Sequence, residues 1–162
     1  MNSVSQIIND SLIALFEKAQ GEALQHKALK VQKNYESHYE VSCHISFCDA
    51  NGKRAGVALL NIQRDDVFYV WEKVFGMPVP DGAHYNEIAK EITNMVIGNA
   101  TANLSENGFN YLIALPYILE PARPIQLSTL NRDDFHYFEF FSGKLRFNWV
   151  LCIYDVIEFS RR

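Results

Sequence analysis

The stretch Glu87 to Leu104, EIAKEITNMVIGNATANL, is the part of the chain from which the rest is most readily understood. Its spacing predicts a long helix. At about 100° per residue, Ile88, Ile92, Met95, Val96 and Asn103 gather on one side, while Glu87, Glu91, Asn94 and Gly98 fall in a narrow arc on another. One side packs and the other is left for contact with something else. A carboxylate and a carboxamide three residues apart on a helix are neighbours. Gly98, one turn beyond Asn94, removes side-chain bulk where another surface can approach. A glycine inside a helix is about 1 kcal/mol worse than alanine, so it calls for a packing or access reason.

Glu and Asn on a helix face are most often plain solvated surface. Here they stand in a longer pattern, Glu91-Ile92-Thr93-Asn94-Met95-Val96-Ile97-Gly98, followed by Leu104, Gly108, the apolar run Tyr111 to Leu115, and Pro116 with apolar residues after it. This pattern resembles the chemotaxis phosphatases of the CheX, CheC and FliY group, whose signature is Glu, two residues, Asn, three residues, then a small residue. The resemblance runs from about Val41 to Leu127 and is densest between Glu87 and Pro116. It implies an α+β domain in which long helices pack on one face of a largely antiparallel sheet. It also implies a phosphorylated CheY-like response regulator as partner and substrate. CheX-type members are homodimers, whereas CheC-type members carry two signatures in one chain. One signature is found here, since the first helical stretch has Asn9 and Asp10 but no matching ExxN.

Composition narrows the alternatives. At 162 residues the chain suits a single domain, 1–162, long enough to bury roughly two-thirds of its unfolded surface. Hydrophobic residues make up 48% of it and aromatics 13%, which excludes a disordered chain, and a net charge of -4 argues against a general nucleic-acid binder. The N-terminal MNSVSQIIND has no positive charge ahead of an apolar core, and no run approaches the ~18 apolar residues of a membrane span. A cytoplasmic protein without membrane contact is expected. Cys43, Cys48 and Cys152 are odd in number and lack CxxC spacing, so neither a disulfide framework nor a zinc site is suggested. His26, His38, His44, His84 and His136 form no HxxxH or HExxH pair, and no metal site or cofactor of the chain's own is expected.

Along the chain, Ser3 to Ala19 has helical periodicity, with Gln20-Gly21 as its end. A short strand is read around Ala28 to Val31. Val41, Cys43, Ile45 and Phe47 alternate with polar residues, then Asp49-Ala50-Asn51-Gly52 turns the chain into an apolar strand, Gly56 to Ile62. A helix from Asp65 or Asp66 to the stop at Gly76 carries Val67, Phe68, Val70, Trp71, Val74 and Phe75, and is expected to be well buried. Pro78, Pro80 and Gly82 break the chain before the long helix, with Asp81 as its candidate cap and Asn107-Gly108 as its end. Strands are read around Ile125 to Thr129, Phe135 to Phe141 and Leu145 to Tyr154, with Ser142-Gly143 as the last turn. The final strand sets Leu145, Phe147, Trp149, Leu151 and Ile153 on one row, opposite Arg146, Asn148, Val150, Cys152 and Tyr154. A second apolar-leaning face or edge suits dimerisation.

Hydrolysis of a phosphoaspartate needs a water placed in line behind the phosphorus. A carboxamide, with one acceptor and two donors on a short stem, can hold that water without being a strong base. By the resemblance, Asn94 orients the attacking water, Glu91 contacts the receiver's lysine, Gly98 permits close approach, and Mg²⁺ is supplied by the receiver. Glu87 stands where many family members have Asp or Ser, and either adds acidity to the docking surface or has no part. Asn99 falls on the packed side, where a buried, hydrogen-bonded carboxamide is the expectation. Two other functions stay open: a receiver-binding module without hydrolysis, and a scaffold in which the ExxN match is accidental.

Overall fold

The computed structural model describes residues 3–20, 25–28, 39–119, 135–143 and 145–156. Helix α1 (Val4–Gln20) is followed by strands β1 (Gln25–Ala28), β2 (Val41–Asp49) and β3 (Arg54–Ile62). Then come helices α2 (Arg64–Phe75) and α3 (Tyr85–Glu106), and strands β4 (Tyr111–Ile113), β5 (Tyr117–Ile118), β6 (Phe135–Ser142) and β7 (Leu145–Asp155). The strands form one seven-stranded sheet in the order β1-β6-β7-β3-β2-β4, with β5 also on β2. Every pairing between them is antiparallel. The expected α+β architecture is the one observed.

The turn residues act as their chemistry requires. At the β2–β3 turn Gly52 takes a φ of 66°, and Asp49 Oδ1 accepts from the backbone N–H groups of Lys53 (2.7 Å) and Arg54 (3.2 Å). The hairpin then pairs Val41 with Ile62 through to Cys48 with Ala55. That register turns Cys43, Ile45 and Phe47 of β2 and Ala58, Leu60 and Ile62 of β3 to the helical side, all of them buried. Strand β7 adds Phe147, Trp149, Leu151 and Ile153 to the same face. Against it lie Ile8, Leu12 and Phe16 of α1, Val67, Val70 and Trp71 of α2, and Ile88, Ile92 and Val96 of α3. Phe16 meets Phe147 at 4.6 Å between ring centroids, and Phe147 stacks on Phe140 at 5.1 Å.

Several expectations need correction. Among the described side chains of helix α2, Val67, Val70 and Trp71 are buried, and Tyr69 is 45% exposed, because α2 lies against α1 and α3 along one side. The cap of α3 is His84, whose Nδ1 accepts from Asn86 N at 3.3 Å, and not Asp81. Gly82, at φ 74°, and the Ala83 N–H donated to Pro80 O commit Asp81-Gly82 to a turn, so helical backbone begins only at Tyr85. Strand β1 covers Gln25–Ala28, earlier than the expected Ala28 to Val31, whose residues 29–31 lie outside the described residues. The strand expected at Ile125 to Thr129 also lies outside them. The run after α3 is split into β4 and β5 with Pro116, which has no N–H to donate, between them; Ala114 N and Leu119 N still bond to Ser46 O and Ser42 O.

In the second row of β7 Arg146 is exposed and Tyr154 half-buried, but the middle of the row is not open. Asn148, Val150 and Cys152 are as buried as the apolar row, and the polar member is satisfied by a chain of side chains crossing four strands. Ser42 Oγ donates to Asn61 Oδ1 (2.5 Å), Asn61 Nδ2 to Asn148 Oδ1 (2.6 Å), and Asn148 Nδ2 to Tyr137 Oη (3.0 Å). The sheet register aligns it, pairing Ser42 with Asn61 and Asn61 with Asn148. Beside it, burial, with the charges of Tyr137 and Glu139 adding, pushes the Tyr39 phenol up to about 12.

Replacing Asn61 with Ala removes the acceptor of the Ser42 hydroxyl and a donor to the Asn148 carboxamide oxygen, and urea denaturation is expected to show a loss of about 2–4 kcal/mol. A raised phenol pKa means that the folded chain keeps a proton which the unfolded chain releases. The Tyr39 contribution is therefore complete below about pH 10 and lost as the pH rises to about 12. Tyr39→Phe should flatten that part of the alkaline denaturation profile.

Candidate functional site

Helix α3 is built to hold one face still and leave the other free. Ile88, Ala89, Ile92, Thr93, Val96, Ile97, Ala100 and Leu104 are buried, and the Thr93 hydroxyl donates to Ala89 O within the helix. The helix packs on β2 and borders β4 and β5. Its C-terminal end is closed by a Schellman motif: Phe109 N donates to Leu104 O (2.9 Å) and Gly108 N to Ser105 O (3.0 Å), with Gly108 at φ 83°. Phe109 then packs against the core that contains Leu104.

All four residues singled out from the sequence lie on the opposite side. Glu87, Glu91 and Asn94 are exposed and Gly98 is half-buried. Neither the Glu91 carboxylate nor the Asn94 carboxamide bonds to another side chain of the described residues, so both are available to a partner. A Cβ built at Gly98 has no heavy atom within 4 Å. Among the described residues no packing requires a glycine there, which leaves an access reason for it. Glu87 has a local role as well: it is in the first turn of α3, where its charge favours the positive end of the helix dipole.

Asn99 is exposed, contrary to its expected burial. The packed arc is centred on the line Ala89, Thr93, Val96 and Ala100, and Asn99 lies about 90° from that centre. Asn103, placed on the packed side, does meet another helix: its Nδ2 donates to Ser11 Oγ of α1 at 2.8 Å, and Ser11 Oγ donates to Ile7 O. Two residues of the open face were not singled out from the sequence. Thr101, half-buried, donates its hydroxyl to Ile97 O (3.0 Å) and Gly98 O (2.9 Å), tying down the carbonyls around the glycine. Lys90 is half-buried one turn before Asn94. The helical period counted back and forward from Asn94 was the signal that could have found both.

Beneath the face, the Cys43 thiol is pushed up to about 11 by burial, against the opposing pull of the Thr93 hydroxyl and the Lys90 charge. It is a neutral core group and offers no nucleophile to the surface. Among the described residues no three His, Cys, Asp or Glu side chains converge as a metal site, and no helix is long and apolar enough to cross a membrane. What the face offers is an acceptor, a carboxamide that both donates and accepts, and room above Gly98. Such a set can orient a small molecule or a water but carries no strong base or nucleophile.

The arrangement of three helices on this sheet recurs in solved structures. The chemotaxis protein CheX from Vibrio vulnificus superposes with a TM-score of 0.69 at 19% identity, over 93% of this chain and 99% of that one. The chain has a CheX-like fold. A CheC-like superfamily protein from Shewanella sp. PV-4 superposes equally well, with a TM-score of 0.69 at 19% identity over 95% of this chain and 99% of that one. A chain of the CheX-CheY-BeF3-Mg²⁺ complex from Borrelia burgdorferi gives 0.64 at 14% identity, over 93% and 97%. No protein-family model matches the sequence, and no curated protein matches it either. The CheX-like fold therefore accounts for nearly the whole chain, with α3 carrying the open face.

Because a Cβ at Gly98 meets nothing, Gly98→Ala should stabilise the isolated protein by about 0.5–1 kcal/mol, read from the denaturation midpoint.

Proposed function

We propose that the chain is a cytoplasmic phosphatase acting on the phosphoaspartate of a CheY-like response regulator, with the open face of α3 as its active surface. The observation that carries this reading is the pairing of an unengaged Glu91 and Asn94 with empty space above Gly98, on a helix whose other side is held by the core. The shared fold with a chain from a CheX-CheY-BeF3-Mg²⁺ complex supports the choice of partner.

In this mechanism the receiver brings the acyl phosphate, the Mg²⁺ that neutralises phosphoryl charge, and a lysine. The Glu91 carboxylate pairs with that lysine and sets the register of docking. Asn94, one turn further along, accepts a hydrogen bond from a water and holds its lone pair toward phosphorus. Attack forms the new P–O bond as the bond to the aspartyl oxygen breaks, leaving a free carboxylate and inorganic phosphate, with the proton passing to solvent. Gly98 lets the receiver backbone come close, and Glu87 adds negative charge to the rim. Orientation alone can supply several orders of magnitude in rate when reacting atoms are held near contact distance. The chain is further proposed to work as a homodimer; Leu112 and Tyr117, 62% and 48% exposed on the edge strands, give it apolar surface to bury.

The test follows loss of labelled phosphate from phosphorylated receiver domains. The wild-type chain should accelerate it, and Asn94→Ala, at an unchanged melting temperature, should lower kcat on the order of a hundredfold or more. Equal rates for the two would overturn the assignment. Binding without acceleration by the wild type would instead identify a receiver-binding module.

A further inference from the structure

Lys90 is the only basic residue in the 22 residues of α3. It sits one turn before Asn94, and at about 100° per residue it lies about 40° to one side of it, while Glu91 lies about 60° to the other. Asn94 thus stands between an acidic and a basic flank. Lys90 is half-buried, its charge is felt by the Cys43 thiol on β2, and Cys43 pairs with Ile118 of β5. Helix α3 itself packs on β2 and borders β5, so Lys90 belongs to the element at that edge of the sheet. Among the described residues no carboxylate pairs with it, although Glu87 is three residues away on the same helix.

Lys90 is thus a half-buried basic residue with no counter-ion among the described residues, and an anion brought by a partner would match its charge. The phosphatase reading, on which this inference rests, specifies the kind of surface that arrives. A site that holds Mg²⁺ beside a phosphoryl group binds the ion through one or two carboxylates together with phosphate and water oxygens. We propose that Lys90 is a specificity-determining contact, pairing with a carboxylate at the rim of the partner's phosphoaspartate site and selecting partners that carry an acid there. It touches the partner protein and not the phosphorus, so its influence falls on docking.

The test uses the full chain with K90M, K90E and K90R, with melting temperatures taken first. KM for the phosphorylated receiver should rise about two- to fivefold in K90M and about tenfold in K90E, with kcat unchanged and with K90R restoring the wild-type value. The salt dependence of KM should weaken in K90M. A fall in kcat at constant KM, or no change in either, would overturn the proposal. Affinity for a receiver treated with beryllofluoride and Mg²⁺ is measured in parallel and needs no turnover. If the wild type proves inactive, weaker binding by K90E alone still supports the Lys90 contact while the phosphatase reading falls. Equal binding by wild type and K90E, or no binding by the wild type, overturns the contact.

Discussion

The seating of the apolar arc of α3 on β2 is the constraint on which everything else hangs. Ile92, Val96 and Ala100 are buried in one core with Cys43, Ile45 and Phe47, and burial of a side chain the size of Ile92 or Val96 is worth about 1.5–3 kcal/mol. Asn103 adds a hydrogen bond to α1, and the Schellman closure at Gly108 sends the chain directly into β4. A helix gripped in this way has one rotational setting about its own axis. The direction in which Glu91 and Asn94 point is therefore a consequence of the core.

The two polar systems of the molecule obey opposite rules. The row from Ser42 through Asn61 and Asn148 to Tyr137 is buried, and it is tolerable there because each member bonds to the next. On α3 the carboxylate and carboxamide are exposed and unengaged, so water meets their needs until a partner does. The first system holds strands in register and the second is kept available. Orienting chemistry suits the second, because groups already committed inside the fold have no hydrogen bonds left to give.

Much of this was legible in the sequence because the responsible patterns are local. Alternation in Val41 to Phe47, the Asn51-Gly52 turn, the stop at Gly76 and the end at Asn107-Gly108 each depend on a few adjacent residues. The open face of α3 was legible for the same reason, since helical spacing puts Glu87, Glu91, Asn94 and Gly98 together whatever surrounds them. Failures came where a distant element decides. Asn99 lies on the periphery of the packed arc, and only the placement of α1 and the sheet determines on which side of that boundary it falls. Helix α2 carries Phe68, Tyr69 and Phe75 as well as Val67, Val70 and Trp71, yet it meets α1 and α3 along one side and Tyr69 is left exposed.

The sequence by itself determined the elements, their turns and the company that Glu91 and Asn94 keep, because backbone periodicity and glycine chemistry act over a few residues. Only the tertiary structure decided the strand order β1-β6-β7-β3-β2-β4, the burial of Asn148 and the emptiness above Gly98. Each of these depends on which surfaces meet across long stretches of chain. Contacts of that kind are chosen by the packing of the whole core, and no short window of sequence contains them.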